Sequence, residues 1–276
     1  KWFWIPQGGR DERMQRGRGR EHYQWNVDIW GSTGIEADVE LLAVLCSFLG
    51  RVGLAPAEVS IRVSSRKVLQ EVLDSVGVAG EQFAAVCIVV DKLGKLPPDE
   101  AAAQLGKLGL DNTAVATIQR VLGLRDLDTL AAALGDDSGA VAELRSLWAL
   151  AEGYGLTEWL EFDGSIVRGL AYYTGPVFEA HDRHGELRAV CGGGRYDRLL
   201  SSFGGKDLPA TGFGFGDMVI LELLKDRGRL PQLAGSVQDV VFALNPELRP
   251  AAMDVAGRLR VQGRSVDLVL DEKRLK

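Results

Sequence analysis

Two runs of strict alternation restrict this chain more than any other feature. From Glu21 to Ile29, His22, Gln24, Asn26 and Asp28 fall on one face of an extended segment, and Tyr23, Trp25, Val27 and Ile29 on the other. From Gly212 to Gly216, glycines alternate with Phe213 and Phe215. A strand there carries its rings on one side and a bare surface on the other, flat enough for a planar ligand. A crowded strand beside a packed helix is the other reading. Period-two patterns of this kind belong to strands with one covered face.

The chain has 276 residues, which fits one to two domains, and its 46% hydrophobic and 25% charged content is that of a globular protein with a sizeable core. A net charge of −6 argues against coating nucleic acid through bulk charge but leaves room for a local basic site. Cys46, Cys87 and Cys191 are widely spaced, with no C-x-x-C pair, so neither a disulfide framework nor a cysteine metal site is expected and a reducing compartment fits. The longest apolar runs, Leu41–Leu49 and Phe83–Val90, fall well short of the roughly 20 residues a membrane helix needs. The start lacks a signal-peptide layout and opens without Met in a strand-like run, and the end stops just after another strand. Both ends read as cut.

Along the chain, strand-like segments over Lys1–Gln7 and Glu21–Ile29 flank an Arg-rich loop. Helical spacing follows over Glu36–Leu49, a strand over Ser60–Val63 and a helix over Arg66–Val76. Residues 78–153 are rich in Ala and Leu, punctuated by Pro97, Pro98, Gly109 and Gly135, and carry no candidate chemistry. They read as a helical insertion. Strands are then expected at Trp159–Phe162, Val177–His181, Leu187–Cys191 and Gly212–Gly216, and helices at Arg195–Phe203 and Asp217–Arg227. Beyond a linker at Pro231–Val237, the segments Val240–Leu244, Pro250–Gln262 and Val266–Leu270 form a β-α-β unit. The expected domains are residues 1–77 and 154–230 as two parts of one body, 78–153 as the insertion, and 237–276 as the beginning of an α/β domain.

Chemistry concentrates in three places. Arg10, Arg13, Arg16, Arg18 and Arg20 share the first loop, which reads either as a solvated charge run or as a phosphate-binding loop using guanidinium forks. Glu12 and Asp28 are placed to pair with Arg10 or with a ligand amine. The run Cys191-Gly192-Gly193-Gly194-Arg195-Tyr196-Asp197 reads as a strand-to-helix turn, with or without an anion at the helix start. Its spacing is not that of a Rossmann loop. In Val167–Gly175, Arg168 stands near Tyr172 and Tyr173, which either pack in a core or wall a pocket for an imidazole. His22, His181 and His184 form no nucleophile or metal pattern.

In combination these segments resemble the histidyl-tRNA synthetases, a class II family. The match to motif 2 runs through Arg10-Asp11-Glu12-Arg13, Gly17–Glu21, Gln24 and Asp28, and Val167–Thr174 and Val190–Asp197 resemble the two histidine-specific motifs. Gln24-Trp25-Asn26 and Arg168–Tyr173 are most similar to the plant organellar branch. The resemblance implies an α+β fold, with a mixed, mainly antiparallel sheet, a helical insertion and the start of an α/β anticodon-binding-like domain.

The activity implied is activation of histidine by ATP with Mg²⁺, then transfer to tRNA(His), by a homodimer with no membrane association, in the cytoplasm or an organelle. Arg10 would hold the α-phosphate, Glu12 the adenine amino group and Arg18 the outer phosphates or the tRNA end, with Gly214 and Gly216 beside the nucleotide. Gln24 and Asp28 would hold the α-amino side of histidine. Arg168 would bind its carboxylate together with the α-phosphate, in place of a metal. Tyr172 and Tyr173 would line the imidazole pocket, and Gly192, Gly193 and Gly194 would let the adenylate lie close.

The sequence departs from the family pattern at Val219, where an arginine ends the third motif, at Ala171, commonly acidic, and at Gly8 and Gly9, where bulkier residues are expected. Motif 1 is not in the chain. The Val219 departure keeps a rival open: a catalytically silent histidine-binding paralogue, either a regulatory subunit of histidine biosynthesis or a tRNA-sensing module.

Overall fold

Backbone pairing begins at the aromatic start of the chain. In the computed structural model, strands β1 (Trp2–Trp4) and β2 (Gln7–Gly9) both pair antiparallel with β3 (Glu21–Trp30), the alternating run. The structure describes residues 1–11, 13–78, 81–90, 97–135, 137–167, 172–185, 187–231 and 236–270. Cross-strand pairing of Gly8 with His22 explains one departure. A Cβ at Gly8 would lie 2.9 Å from the His22 ring, so the imidazole occupies the space a larger residue would take.

Helix α1 (Glu36–Arg51) follows, then β4 (Val59–Ser65) and α2 (Arg66–Ser75). The central segment is helical: α3 (Glu81–Val90), α4 (Pro98–Lys107), α5 (Asn112–Leu122), α6 (Leu127–Leu134) and α7 (Gly139–Gly153). Local chemistry starts several of these helices. Ser65, Asp111, Asp126 and Ser138 are N-caps whose side-chain oxygens accept from first-turn N–H groups. Glu71 of α2 accepts from the Ala140 N–H at 2.8 Å and from the Ser138 hydroxyl, joining α2 to the start of α7. Leu41, Leu69, Ile118 and Leu144, from four of these helices, are fully buried in one continuous core.

The chain then returns to the sheet through β5 (Leu160–Phe162), β6 (Pro176–Asp182), β7 (Cys191–Arg195) and β8 (Ala210–Gly216), followed by α8 (Asp217–Asp226). The sheet order is β1-β3-β8-β7-β6-β4-β5, with β2 also on β3. Within this sheet, among the described residues, only the β4–β5 pairing is parallel. The fold is therefore mixed α+β with a mainly antiparallel sheet. Contacts divide the chain into residues 1–229 and 230–276. Taken by itself, the second unit holds a parallel pair, β9 (Asp239–Val241) and β10 (Val266–Leu268), joined by α9 (Arg249–Val261).

Two expectations need correction. The strand expected at Leu187–Cys191 is instead Cys191–Arg195, so the three glycines lie inside β7 rather than in a turn. The helix expected at Arg195–Phe203 is absent; turns and a short 3₁₀ segment at Ser201–Phe203 stand there. Glycine has low strand propensity, yet β7 is hydrogen-bonded on both sides, by β6 and β8, and that pairing overrides the local preference.

The end of β7 is set by a buried charge. Arg195 donates to Asp38 Oδ2 from Nη2 at 2.5 Å and from Nε at 3.0 Å. It also donates to the carbonyls of Ser32 (2.9 Å) and Gly34 (2.8 Å). The guanidinium thus ties β7 to the start of α1. Burial raises the Asp38 pKa to about 6, against the opposing pull of Arg195. Replacing Asp38 by Ala leaves the buried cation only its longer, half-exposed pairing with Asp197 (3.3 Å), which should cost roughly 3 kcal/mol. Denaturant unfolding followed by tryptophan fluorescence measures this, and a loss below about 1 kcal/mol contradicts the role.

Candidate active site

Strands β3, β8 and β7 lie side by side in the middle of the sheet, and their register decides what faces the cleft. Gly192 pairs with Gly214 and Gly194 with Gly212, while Asn26 and Asp28 of β3 pair with Gly214 and Gly212. On the opposite face Phe213 and Phe215 pack with Trp25 and Phe48, at centroid separations of 5.1 to 6.1 Å. The glycine–phenylalanine alternation therefore does both things considered for it: the rings face α1 and the glycines floor a cleft.

The cleft has two halves that share Gln24, Gly192 and Gly214. The first is a cavity of about 230 Å³ reached by Arg10, Arg18 and Arg188, with Glu179, Asp217 and His22 also in its wall. Arg10 directly follows β2, and its N–H donates to the Arg20 carbonyl at 2.7 Å, which continues the hairpin ladder. The loop closes on itself between Gln15 and Arg18, with Gly17 at φ +70°. Its arginines have separate fates. Arg16 pairs with Glu222 (3.1 Å) and Asp226 (2.5 Å) of α8, Arg13 and Arg20 are exposed, and Arg10 and Arg18 reach the cavity. Val219 packs beneath the loop: a Cβ on Gly17 would lie 3.3 Å from Val219 Cγ2. Burial, followed by the guanidinium groups of Arg18 and Arg10, draws the Arg188 pKa below its usual value.

The second half, about 480 Å³, is aromatic and carries a carboxylate. Tyr172 and Tyr173 meet at a 47° tilt with centroids 4.7 Å apart, and Tyr196 meets Tyr172 edge-on at 5.9 Å. The tyrosine segment is held over β7 by Thr174, whose N–H donates to the Arg195 carbonyl at 2.8 Å and whose hydroxyl donates to Asp197 at 3.0 Å. The Tyr196 hydroxyl donates to Asp28 Oδ1. Burial raises the Asp28 pKa and this hydrogen bond opposes the rise; burial and the same bond push the Tyr196 phenol up, so it stays a donor. Gln24 donates to Asn26 Oδ1 at 2.7 Å, which orients its amide at the junction of the halves.

The residues singled out from sequence divide clearly. Arg10, Arg18, Gln24, Asp28, Tyr172, Tyr173, Gly192, Gly214 and Gly216 line the cleft. Gly194 lies beneath Tyr173, with 3.0 Å from its Cβ position to Tyr173 Cδ1. Gly193 turns to the other face, where a Cβ would stand 2.7 Å from Phe213 Cβ. Glu12, Arg168 and Ala171 lie outside the described residues. Asp28 meets Tyr196 rather than Arg10. Sequence reasoning missed the roles of Arg188, Tyr196 and Asn26. Tyr196 and Asn26 each stood in a pattern already noted, whereas nothing local marks Arg188.

The comparisons concern the family and the fold. The Histidyl-tRNA synthetase family model matches residues 6–217. The "Histidine--tRNA ligase, chloroplastic/mitochondrial" of Arabidopsis thaliana is 52% identical over all 276 residues, which span 57% of that relative's length. A histidyl-tRNA synthetase structure from Nostoc sp. PCC 7120 shares the fold with a TM-score of 0.73 at 24% identity, covering 99% of this chain and 65% of that one. A structure from Bacillus halodurans C, described as an ATP phosphoribosyltransferase regulatory subunit/histidyl-tRNA synthetase, has a TM-score of 0.70 at 25% identity, over 98% and 69%.

Tyr196→Phe removes the hydrogen bond that lowers the Asp28 pKa, so Asp28 should titrate at higher pH than in the parent protein. Carboxyl carbon chemical shifts followed against pH report the midpoint. A midpoint that stays put or falls contradicts the pairing.

Proposed function

The chain belongs to the histidyl-tRNA synthetase family, and on that premise we propose that the protein activates histidine with ATP and transfers it to tRNA(His). The observation that carries this is the cleft itself: an arginine-rich half and a tyrosine–carboxylate half joined over one glycine floor. Adenylate formation needs both. The histidine carboxylate attacks the α-phosphorus, pyrophosphate leaves, and negative charge spreads over the equatorial oxygens, so positioning and charge stabilisation dominate.

In this reading Arg10 and Arg168 hold the α-phosphate, and Arg168 also takes the amino-acid carboxylate. Arg18 meets the outer phosphates, Glu12 the adenine, and Gly214 and Gly216 underlie the nucleotide. Gln24 and Asp28 take the α-ammonium, while Tyr172 and Tyr173 wall the imidazole. Gly192 and Gly194 keep the floor low, and Gly193 sets the strand from behind. Mg²⁺ arrives with ATP and neutralises phosphate charge. Among the described residues Glu179 and Asp217 are the carboxylates in that half, and Asp217 Oδ1 is buried without a hydrogen-bond partner, which suits a hydrated cation.

We assign residues 1–77 and 154–230 to the catalytic domain, 78–153 to a helical insertion and 237–276 to the start of an anticodon-binding-like domain. A homodimer is proposed too, supported by the exposed edge at β1, where Trp2 and Phe3 are 73% and 72% accessible. No helix among the described residues is long and apolar enough to cross a membrane. A plastid or mitochondrial location follows the Arabidopsis relative's name, with the cytoplasm as the alternative that localising a tagged protein would reveal.

One observation favours a second reading. Val219 stands where the class II third motif carries an arginine, and the Bacillus structure's description pairs a regulatory subunit with a synthetase. Histidine-dependent ATP–pyrophosphate exchange decides. Exchange is expected, with Arg10→Ala lowering its rate by about 10²–10³-fold and Arg168→Ala abolishing adenylate formation in a folded protein. Intact histidine binding without exchange would instead establish the regulatory reading.

A further inference from the structure

We propose that Arg188 is a further phosphate ligand of the nucleotide site, placed to hold the outer phosphates that depart as pyrophosphate. This rests on the adenylate-forming reading above and deepens it. Arg10 and Arg18 enter the first cavity from the β2–β3 hairpin, whereas Arg188 enters from the segment leading into β7. The three guanidinium groups thus approach one space from two walls.

Such convergence is unfavourable without a ligand. Among the described residues the cavity is lined by three guanidinium groups and two carboxylates, those of Glu179 and Asp217. Glu179 is also engaged with His181 at 3.0 Å. At Arg188 the attraction of Glu179 is outweighed by the repulsion of Arg18 and Arg10. A group of three guanidiniums held in mutual repulsion is stabilised by a polyanion, and a nucleoside triphosphate supplies several charges at the required spacing. Among the described residues the helix side of the cavity contributes Asp217, Met218 and Val219 and no cation. Val219 packs against the loop at Gly17, and among the described residues the guanidinium group facing the hairpin is that of Arg188.

The test uses the complete protein, with Arg188→Ala and Arg188→Lys. In pyrophosphate exchange, Arg188→Ala should raise the KM for ATP by about 10- to 100-fold, as expected for loss of a charge-assisted hydrogen bond, with the KM for histidine nearly unchanged. Inhibition by added pyrophosphate should weaken to the same extent. Arg188→Lys should recover part of the loss, because it keeps the charge but not the planar fork. Calorimetric titration with pyrophosphate alone gives a readout independent of catalysis. If the parent shows no exchange, the ligase reading fails, yet weaker pyrophosphate binding by a folded Arg188→Ala still supports this assignment. Unchanged ATP and pyrophosphate affinities overturn it, including the case in which only the KM for tRNA rises.

Discussion

The cleft depends on a floor without side chains. Where Gly192 lies against Gly214 and Gly194 against Gly212, two central strands present only backbone to the ligand side. A Cβ at Gly214 would lie 2.8 Å from the Gln24 amide, and one at Gly212 would intrude between Asp28 and Tyr196. The polar residues of β3 can therefore lean over the floor only because the neighbouring strands are bare. The same register sends Phe213 and Phe215 the other way, where they pack with Trp25 and Phe48 and anchor the sheet on α1. A one-residue slip would reverse both faces together, so the packing of the core and the shape of the site are a single constraint.

Guanidinium groups serve two opposite purposes here, and burial separates them. Arg195 is 6% accessible at its side chain, paired with Asp38 and donating to two carbonyls of the turn before α1. It is committed to structure. Arg10 and Arg188 are exposed and face a cavity lined, among the described residues, by more guanidinium groups than carboxylates. Their arrangement has a cost in the free protein, and an incoming phosphate chain offsets it. The neighbouring half of the cleft works through hydrogen bonds instead: Tyr196 fixes one oxygen of Asp28, and Asn26 turns the Gln24 amide toward the junction.

Strand β3 and its one-sided burial were legible from alternation, helix α1 from its spacing and the hairpin from its flanks, because each pattern is local. The run Cys191–Arg195 was not. Three glycines have no strong preference of their own, and their extended form comes from hydrogen bonds to β6 and β8, one on each side. Nor does an expected helix form after Arg195, whose side chain is held by Ser32, Gly34 and Asp38, more than 150 positions earlier.

By itself the sequence determined the alternating strands, the bare face of β8, the arginine loop and, through motifs in order, the family. Only the tertiary structure decided which of those side chains meet. Asp28 and Tyr196, or Arg18 and Arg188, become neighbours through the pairing of strands remote in the chain, and periodicity carries no information about partners at that distance. That is why Gly193, inside the motif, belongs to the back of the sheet, while Arg188, just before it, reaches the cleft.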